Sequence, residues 1–304
     1  MSESTSTSTS VAAAPELEKF PDWSPFQDLK IASHEPLYAA ERAGRVACPK
    51  CQHKRLFFCF DCRIPLAERT LPNVELPLRL DIIKHKGEAN SKSTAIHAAI
   101  IAPHQTAIYE HPAVPEDIDP TRTVLVFPSK DALTFEDLPD DFVEKGGRVM
   151  FIDSTWNQAH GVNSNPALAG IPRIKFTSET SRFWRHQKDK PATYLATIEA
   201  IHHFFRLLHE RFTRTPYDGR YDNLLYFFSR QYHRIQQHYE GADSKKNWRL
   251  EAMNFFQLPE DKSKRTASEA EASENDEEET RRTRPRLEED KTADDATTSA
   301  TATA

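Results

Sequence analysis

The sequence predicts an α/β fold, a mostly parallel sheet with flanking helices, preceded by a small four-cysteine zinc ribbon. Three observations carry that expectation. Two apolar runs, residues 124–127 (VLVF) and 149–152 (VMFI), end abruptly in Pro128-Ser129 and in Asp153-Ser154-Thr155-Trp156. Short apolar runs bounded by turn signals read as strands buried on both faces, which belong mainly to parallel sheets. A helix-length segment, residues 131–144, separates the two, as in a βαβ unit. The four cysteines, Cys48, Cys51, Cys59 and Cys62, fall into two Cys-x-x-Cys pairs seven residues apart.

The 304 residues allow one large or two ordinary domains. Residues 1–20 are Ser/Thr-rich and predict disorder. They lack a basic region followed by an apolar one, so no secretory signal is expected. Residues 21–44 form an N-terminal extension; Phe20, just before it, and Trp23 and Phe26 within it mark where packing begins. No run of about 18 apolar residues occurs, which predicts no membrane span.

Residues 45–70 form the knuckle. Four thiolates on two tight turns suit tetrahedral Zn²⁺, and a closed four-cysteine site has no open position for catalysis. The residues between the pairs, Leu56-Phe57-Phe58, read as a strand of a small ribbon. Redox dithiols or free core thiols are the alternatives. The cysteine usage implies a reducing compartment.

Residues 71–258 form the main domain. Residues 76–85 (LPLRLDIIKH) read as a strand, 88–94 as a polar loop, 97–102 and 106–109 as further apolar runs. Beyond Trp156, residues 157–168 predict a short helix and 172–177 (PRIKFT) another strand. Thr197 is a candidate N-cap for a long helix striped by Ile198, Ile201, Phe205, Leu208 and Phe212, with Glu199 in its first turn. Residues 221–239 predict a second helix, striped by Leu224, Leu225, Phe228, Tyr232 and Ile235. The histidines on these helices read as surface or satisfied core groups.

In open α/β sheets, ligands bind beyond the carboxyl ends of the strands. Asp153, Thr155 and Trp156 would stand at that edge. The alternative is an Asp that caps the next helix and a Trp that fills core. Between Arg173 and Lys190 there are six Lys/Arg against two acids. Arg173, Arg182, Trp184, Arg185, His186 and Lys188 are the candidates for nucleic acid: cations for phosphate, rings for unstacked bases. A solvated loop with two core aromatics is the competing reading.

Residues 259–304 form a charged tail that predicts disorder, with 8 Lys+Arg against 14 Asp+Glu. The rest of the chain carries 32 of each, so the net charge of −6 belongs to the tail. A neutral body still allows a local basic face for nucleic acid. Two basic clusters in the tail, 262–265 and 281–286, have the form of a bipartite nuclear import signal. That predicts nuclear location, with the cytoplasm as alternative.

The motif Asp153-Ser154-Thr155-Trp156 resembles the D-x-T-W signature of the DTW-domain family. The four-cysteine knuckle, the Phe127-Pro128-Ser129 turn and Thr197-Ile198-Glu199-Ala200 follow in that family's order. LRLDIIKH, KSTAIHA, FIDSTWNQA, FWRHQK, TIEAI and YDNLL resemble its eukaryotic members, over roughly residues 45–240. The resemblance implies a SPOUT-like knotted domain. It implies a tRNA-uridine aminocarboxypropyltransferase that moves the 3-amino-3-carboxypropyl group of S-adenosylmethionine onto N3 of a D-loop uridine. The products would be acp3U and 5′-methylthioadenosine.

On that reading Asp153 is the first candidate for general base and Glu199 the second, because N3–H must lose its proton. Phe127, Pro128, Ser129, Asp153, Ser154, Thr155, Trp156 and Thr197 are the candidates to bind the donor. Trp156 either stacks on a base or braces its loop. Zn²⁺ would be structural, tRNA the partner, and no obligate protein partner is expected. A SAM-dependent RNA methyltransferase and a non-catalytic zinc-ribbon RNA-binding protein remain open. The enzymatic reading requires Asp153 to lie by a cleft that Pro128 and Thr197 also line.

Overall fold

The computed structural model describes residues 16–66, 71–176, 179–183 and 194–241, with side chains to 237. A helix α1 (Glu35–Ala43) follows an extended N-terminal segment. Two small antiparallel hairpins come next. β1 (Val46–Ala47) pairs with β2 (Lys54–Arg55), and β3 (Phe58–Cys59) with β4 (Ile64–Pro65). Each hairpin carries one cysteine pair at its turn. The expected strand at Leu56-Phe57-Phe58 is therefore displaced: the chain bends at Leu56 and Phe57 to bring the two hairpins together.

The main sheet holds five strands: β5 (Arg79–Lys84), β6 (Thr106–Glu110), β7 (Thr123–Val126), β8 (Arg148–Asp153) and β9 (Arg173–Ile174). Their order is β6-β5-β8-β7-β9, and every neighbouring pair is parallel. Helix α2 (Ala95–Ile101) links β5 to β6, and α3 (Trp156–Asn163) follows β8. Two long helices close the described chain, α4 (Thr197–Thr213) and α5 (Tyr226–Gly241). No described helix is long and apolar enough to cross a membrane.

The predicted helix between β7 and β8 does not form. Residues 131–144 run as turns, anchored by Phe135, Leu138 and Phe142 in the core. Pro139 interrupts the segment, and Asp137 accepts from the Thr134 N–H and hydroxyl, a local bond that competes with a helical ladder.

Alternation along the strands separates two cores. Leu80 and Ile82, Val124, Val149 and Phe151 face the larger one, with α2, α4 and α5. Ile83, Leu125, Met150 and Phe127 face the smaller one, with Ala159 and Val162 of α3. Side chains alternate faces along a strand, so a central strand covered on both sides reads as a continuous apolar run. The carboxyl ends of β7, β8 and β9 meet at one edge, beside the start of α4.

Candidate active site

The DTW turn follows β8 directly. Thr155 has extended backbone at the N-cap of α3 and is exposed. Its hydroxyl donates to Gln158 Oε1 at 2.9 Å, on the surface and not towards a cleft. Trp156 packs over Tyr194 with ring centroids 4.1 Å apart.

A cavity of about 210 Å³ opens between the carboxyl ends of β7, β8 and β9 and the first turn of α4. Phe127, Pro128, Ser154, Trp156, Lys175 and Thr197 are in its wall, backed by Phe151, Phe176 and Tyr194. Five of the predicted donor-binding residues thus converge. Ser129 and Thr155 are not in that wall.

Asp153 lies one hydrogen bond behind it. Its carboxylate is 3% exposed. Oδ1 accepts the Thr197 hydroxyl at 2.7 Å, and Oδ2 accepts the Ser93 hydroxyl at 2.7 Å. Burial pushes the carboxyl above its ordinary range; the two hydroxyls and nearby Lys84 oppose this without cancelling it. Lys84, in register with Asp153, is itself buried and donates to the Glu88 carbonyl at 2.8 Å. Asp153 therefore reaches the cavity through Thr197, a residue of the wall whose hydroxyl bonds the carboxylate. This also explains why Thr197 is not the expected N-cap. Ala196 holds that position, Thr197 is the first helical residue, and its hydroxyl is engaged by Asp153.

Glu199 is elsewhere. Its Oε2 accepts from the Ala196 N–H and the Ser181 hydroxyl, both at 2.8 Å, and its Oε1 from the Arg182 N–H. It caps its own helix in the manner of a capping-box glutamate and pins residues 181–182. It lines a separate small cleft with Glu179, His202, His203 and Arg206. Burial pushes its carboxyl up, but the structure does not bring it to the cavity.

The nucleic-acid candidates divide. Arg173 is a structural clamp: its guanidinium bonds Asn163 Oδ1 at 3.0 Å and the Leu168 carbonyl at 2.9 Å, tying the end of α3 to β9. A guanidinium so engaged is not available to phosphate. Arg182 is half-buried at the rim of the small cleft. Trp184, Arg185, His186 and Lys188 lie outside the described residues.

The four cysteine sulfurs all lie within 4.8 Å of one another. Tetrahedral Zn²⁺ with Zn–S bonds of about 2.3 Å needs sulfurs about 3.8 Å apart. The two knuckles share one backbone form. Gln52 donates its N–H to the Cys48 carbonyl and Arg63 to the Cys59 carbonyl, with φ of 63° and 55°. Two matched turns presenting four sulfurs to one point fit a metal, and Cys48, Cys51, Cys59 and Cys62 would hold it. Among the described residues no other His/Cys/Asp/Glu group has such geometry. The helical histidines do not cluster as ligands; His202, for example, bonds Asp222 Oδ1 at 2.9 Å.

The DTW domain profile matches residues 56–236. The chain belongs to the DTW-domain family. Among its family relatives, the tRNA-uridine aminocarboxypropyltransferase 1 of Mus musculus is 35% identical over 255 residues, 70% of this chain and 84% of that protein. The protein of the same name in Xenopus laevis is 35% identical over 251 residues, 68% of this chain and 85% of its own. The Homo sapiens protein of that name is 34% identical over 255 residues, 70% and 84% of the two chains. Among solved structures, the SAM-dependent rRNA:acp-transferase Tsr3 from Vulcanisaeta distributa superposes with a TM-score of 0.33 at 16% identity. That match covers 59% of this chain and 98% of the other, and so loose a superposition carries no argument.

Residue patterns left four DTW-site participants unmarked: Ser93, Lys84, Lys175 and Tyr194. The first two fall inside the quoted motifs KSTAIHA and LRLDIIKH, which was the available signal. Lys175 and Tyr194 had none beyond their neighbourhood.

Proposed function

We propose that this DTW protein transfers the 3-amino-3-carboxypropyl group of S-adenosylmethionine to N3 of a D-loop uridine in tRNA. The observation that carries the reading is Thr197: a residue of the cavity wall whose hydroxyl makes a 2.7 Å bond with a buried carboxylate. The names of the relatives supply the substrate and the group transferred.

The chemistry follows from that pair. Uracil N3–H donates to Thr197 Oγ1 while Thr197 donates to Asp153. As N3 attacks the γ-carbon of the donor, the N3 proton passes to Thr197 and the Thr197 proton to Asp153. The N3–C bond forms and the S–C bond breaks; its electron pair returns to sulfur, and neutral 5′-methylthioadenosine leaves. A carboxylate whose pKa is raised by burial is the better proton acceptor. Ser93 holds the second Asp153 oxygen and fixes the carboxylate. Phe127, Pro128 and Trp156 offer apolar and aromatic faces to the adenosine and the sulfonium.

The wider expectations belong to this reading. A knotted SPOUT-like domain is what family membership implies, and the parallel sheet is compatible with it. Matched cysteine knuckles support structural Zn²⁺. We read residues 45–70 as a knuckle and 71–258 as the catalytic domain, with Arg182, Arg185 and Lys188 on the tRNA backbone. The tail clusters, outside the described residues, are read as a nuclear import signal; a fluorescent fusion lacking 260–304 should leave the nucleus.

The deciding experiment incubates the purified protein with S-adenosylmethionine and unmodified tRNA and identifies the nucleoside product. 5′-Methylthioadenosine together with acp3U is expected. S-adenosylhomocysteine would make it a methyltransferase, and neither product would leave an RNA-binding protein.

A further inference from the structure

Lys175 stands directly after β9, at the end of the edge strand. It is the one charged side chain in the cavity wall among the described residues; its neighbours there are Ile174, Phe176 and Phe127. Its backbone is held firmly. The Lys175 N–H donates to the Leu133 carbonyl at 3.0 Å, and the Phe127 N–H donates to the Ile174 carbonyl at 3.0 Å. Phe176 stacks on Phe135 and meets His203 edge-on. Among the described residues the ammonium has no hydrogen-bond or ion-pair partner. A cation in an apolar wall, with no counter-charge beside it among the described residues, favours an anionic ligand group.

The donor of the proposed reaction has one anionic group, the α-carboxylate of its methionine end. Its other charges, the sulfonium and the α-ammonium, are cations that Lys175 repels. We propose that Lys175 receives this carboxylate and so sets the direction in which the donor lies. This rests on the aminocarboxypropyl-transfer reading and deepens it. The sulfonium carries three activated carbons, and the one that reacts is the one held in line with the nucleophile. An anchor on the carboxylate holds the group to be transferred while the thioether departs. It presents the γ-carbon, not the methyl group, to N3 at the Thr197 side of the cavity.

Two nucleosides test this by direct binding to the full chain. S-adenosylhomocysteine keeps the carboxylate; 5′-methylthioadenosine lacks the whole aminocarboxypropyl group. For Lys175→Met, affinity for S-adenosylhomocysteine should fall about tenfold or more, the scale of one charge-assisted bond. Affinity for 5′-methylthioadenosine should stay unchanged, and Lys175→Arg should recover most of the loss. Equal loss for both nucleosides, or loss for neither with weaker tRNA binding, overturns the assignment. A wild-type protein that binds neither nucleoside would instead remove the SAM-dependent reading itself.

Discussion

Thr197 stands between a buried carboxylate and the cavity where the proposed reaction would run. A hydroxyl can accept one proton while giving another, which a methyl group of the same shape cannot. Thr197→Val should therefore cut kcat about 10²–10⁴-fold, the usual worth of general acid–base catalysis, while donor affinity is kept. Thr197→Ser should retain most of the activity. A Thr197→Val enzyme at wild-type kcat would exclude the relay. Asp153 also makes a statement about stability. Its pKa is raised in the fold, first by burial, so the folded chain binds that proton more tightly than the unfolded chain. The contribution is fully present below the ordinary carboxylate pKa and is lost as pH rises through the folded value. Above that folded value the ionised group thus weakens the fold. Asp153→Asn should melt at or above wild type at pH 7 to 8, and this advantage should shrink towards pH 4. Thermal unfolding across that range gives the answer, and the same variant should be inactive.

The small knuckle reaches the site through one loop. Asn90 donates to Asp61 Oδ1 at 3.0 Å, and Arg63 donates to the Ile108 carbonyl at 3.2 Å. Phe57 and Phe58 pack on Phe227 of α5, at 6.3 and 4.8 Å between centroids. The loop that holds Asn90 also holds Ser93, the second partner of Asp153. If the four sulfurs hold Zn²⁺ as proposed, its removal should separate them and free both hairpins, since such small elements cannot bury enough surface alone. Chelation should raise amide exchange in the knuckle and through residues 85–94, and should lower activity. Exchange in β7 and β8 should stay slow. If the loop remained protected after complete metal loss, the knuckle would be independent of the site. Glu179 ties residues 179–183 to α4. Burial pushes its carboxyl up, but His203, Arg206 and Arg182 outweigh that and hold it at about 2. His203 Nδ1 is 2.9 Å and Arg206 Nη2 2.6 Å from Glu179 Oε1.

The described residues form one compact unit within residues 1–247, and Asp222 links its two ends. This carboxylate is 1% exposed. It accepts from the Lys30 N–H at 2.7 Å, from the Tyr217 hydroxyl at 2.9 Å and bonds His202. Asn223 beside it accepts from the Ala32 N–H at 2.8 Å. The YDNLL motif therefore fastens the N-terminal extension to α4 and α5. Asp222→Ala should lower stability by about 3 kcal/mol, as removal of one member of a buried polar set does. Denaturant unfolding measures it, and a change within about 0.5 kcal/mol would show the extension to be dispensable. Much of this organisation was legible in residue order. The strand that ends at Asp153 announces itself because burial on both faces demands an unbroken apolar run. The long helices announce themselves by period, and the paired cysteines by spacing. The missing helix at residues 131–144 was not legible, because a segment of helical length with apolar residues packs equally well as turns. Residue order alone carried the core strands, the long helices and the residue types at the sheet's edge. Only the tertiary structure decided that Asp153 is reached through Thr197, that Glu199 is a cap and Arg173 a clamp, and that Lys175 enters the cavity. The Asp153 pairings join side chains far apart in the chain, 44 residues for Thr197 and 60 for Ser93, and no local pattern records such a pairing.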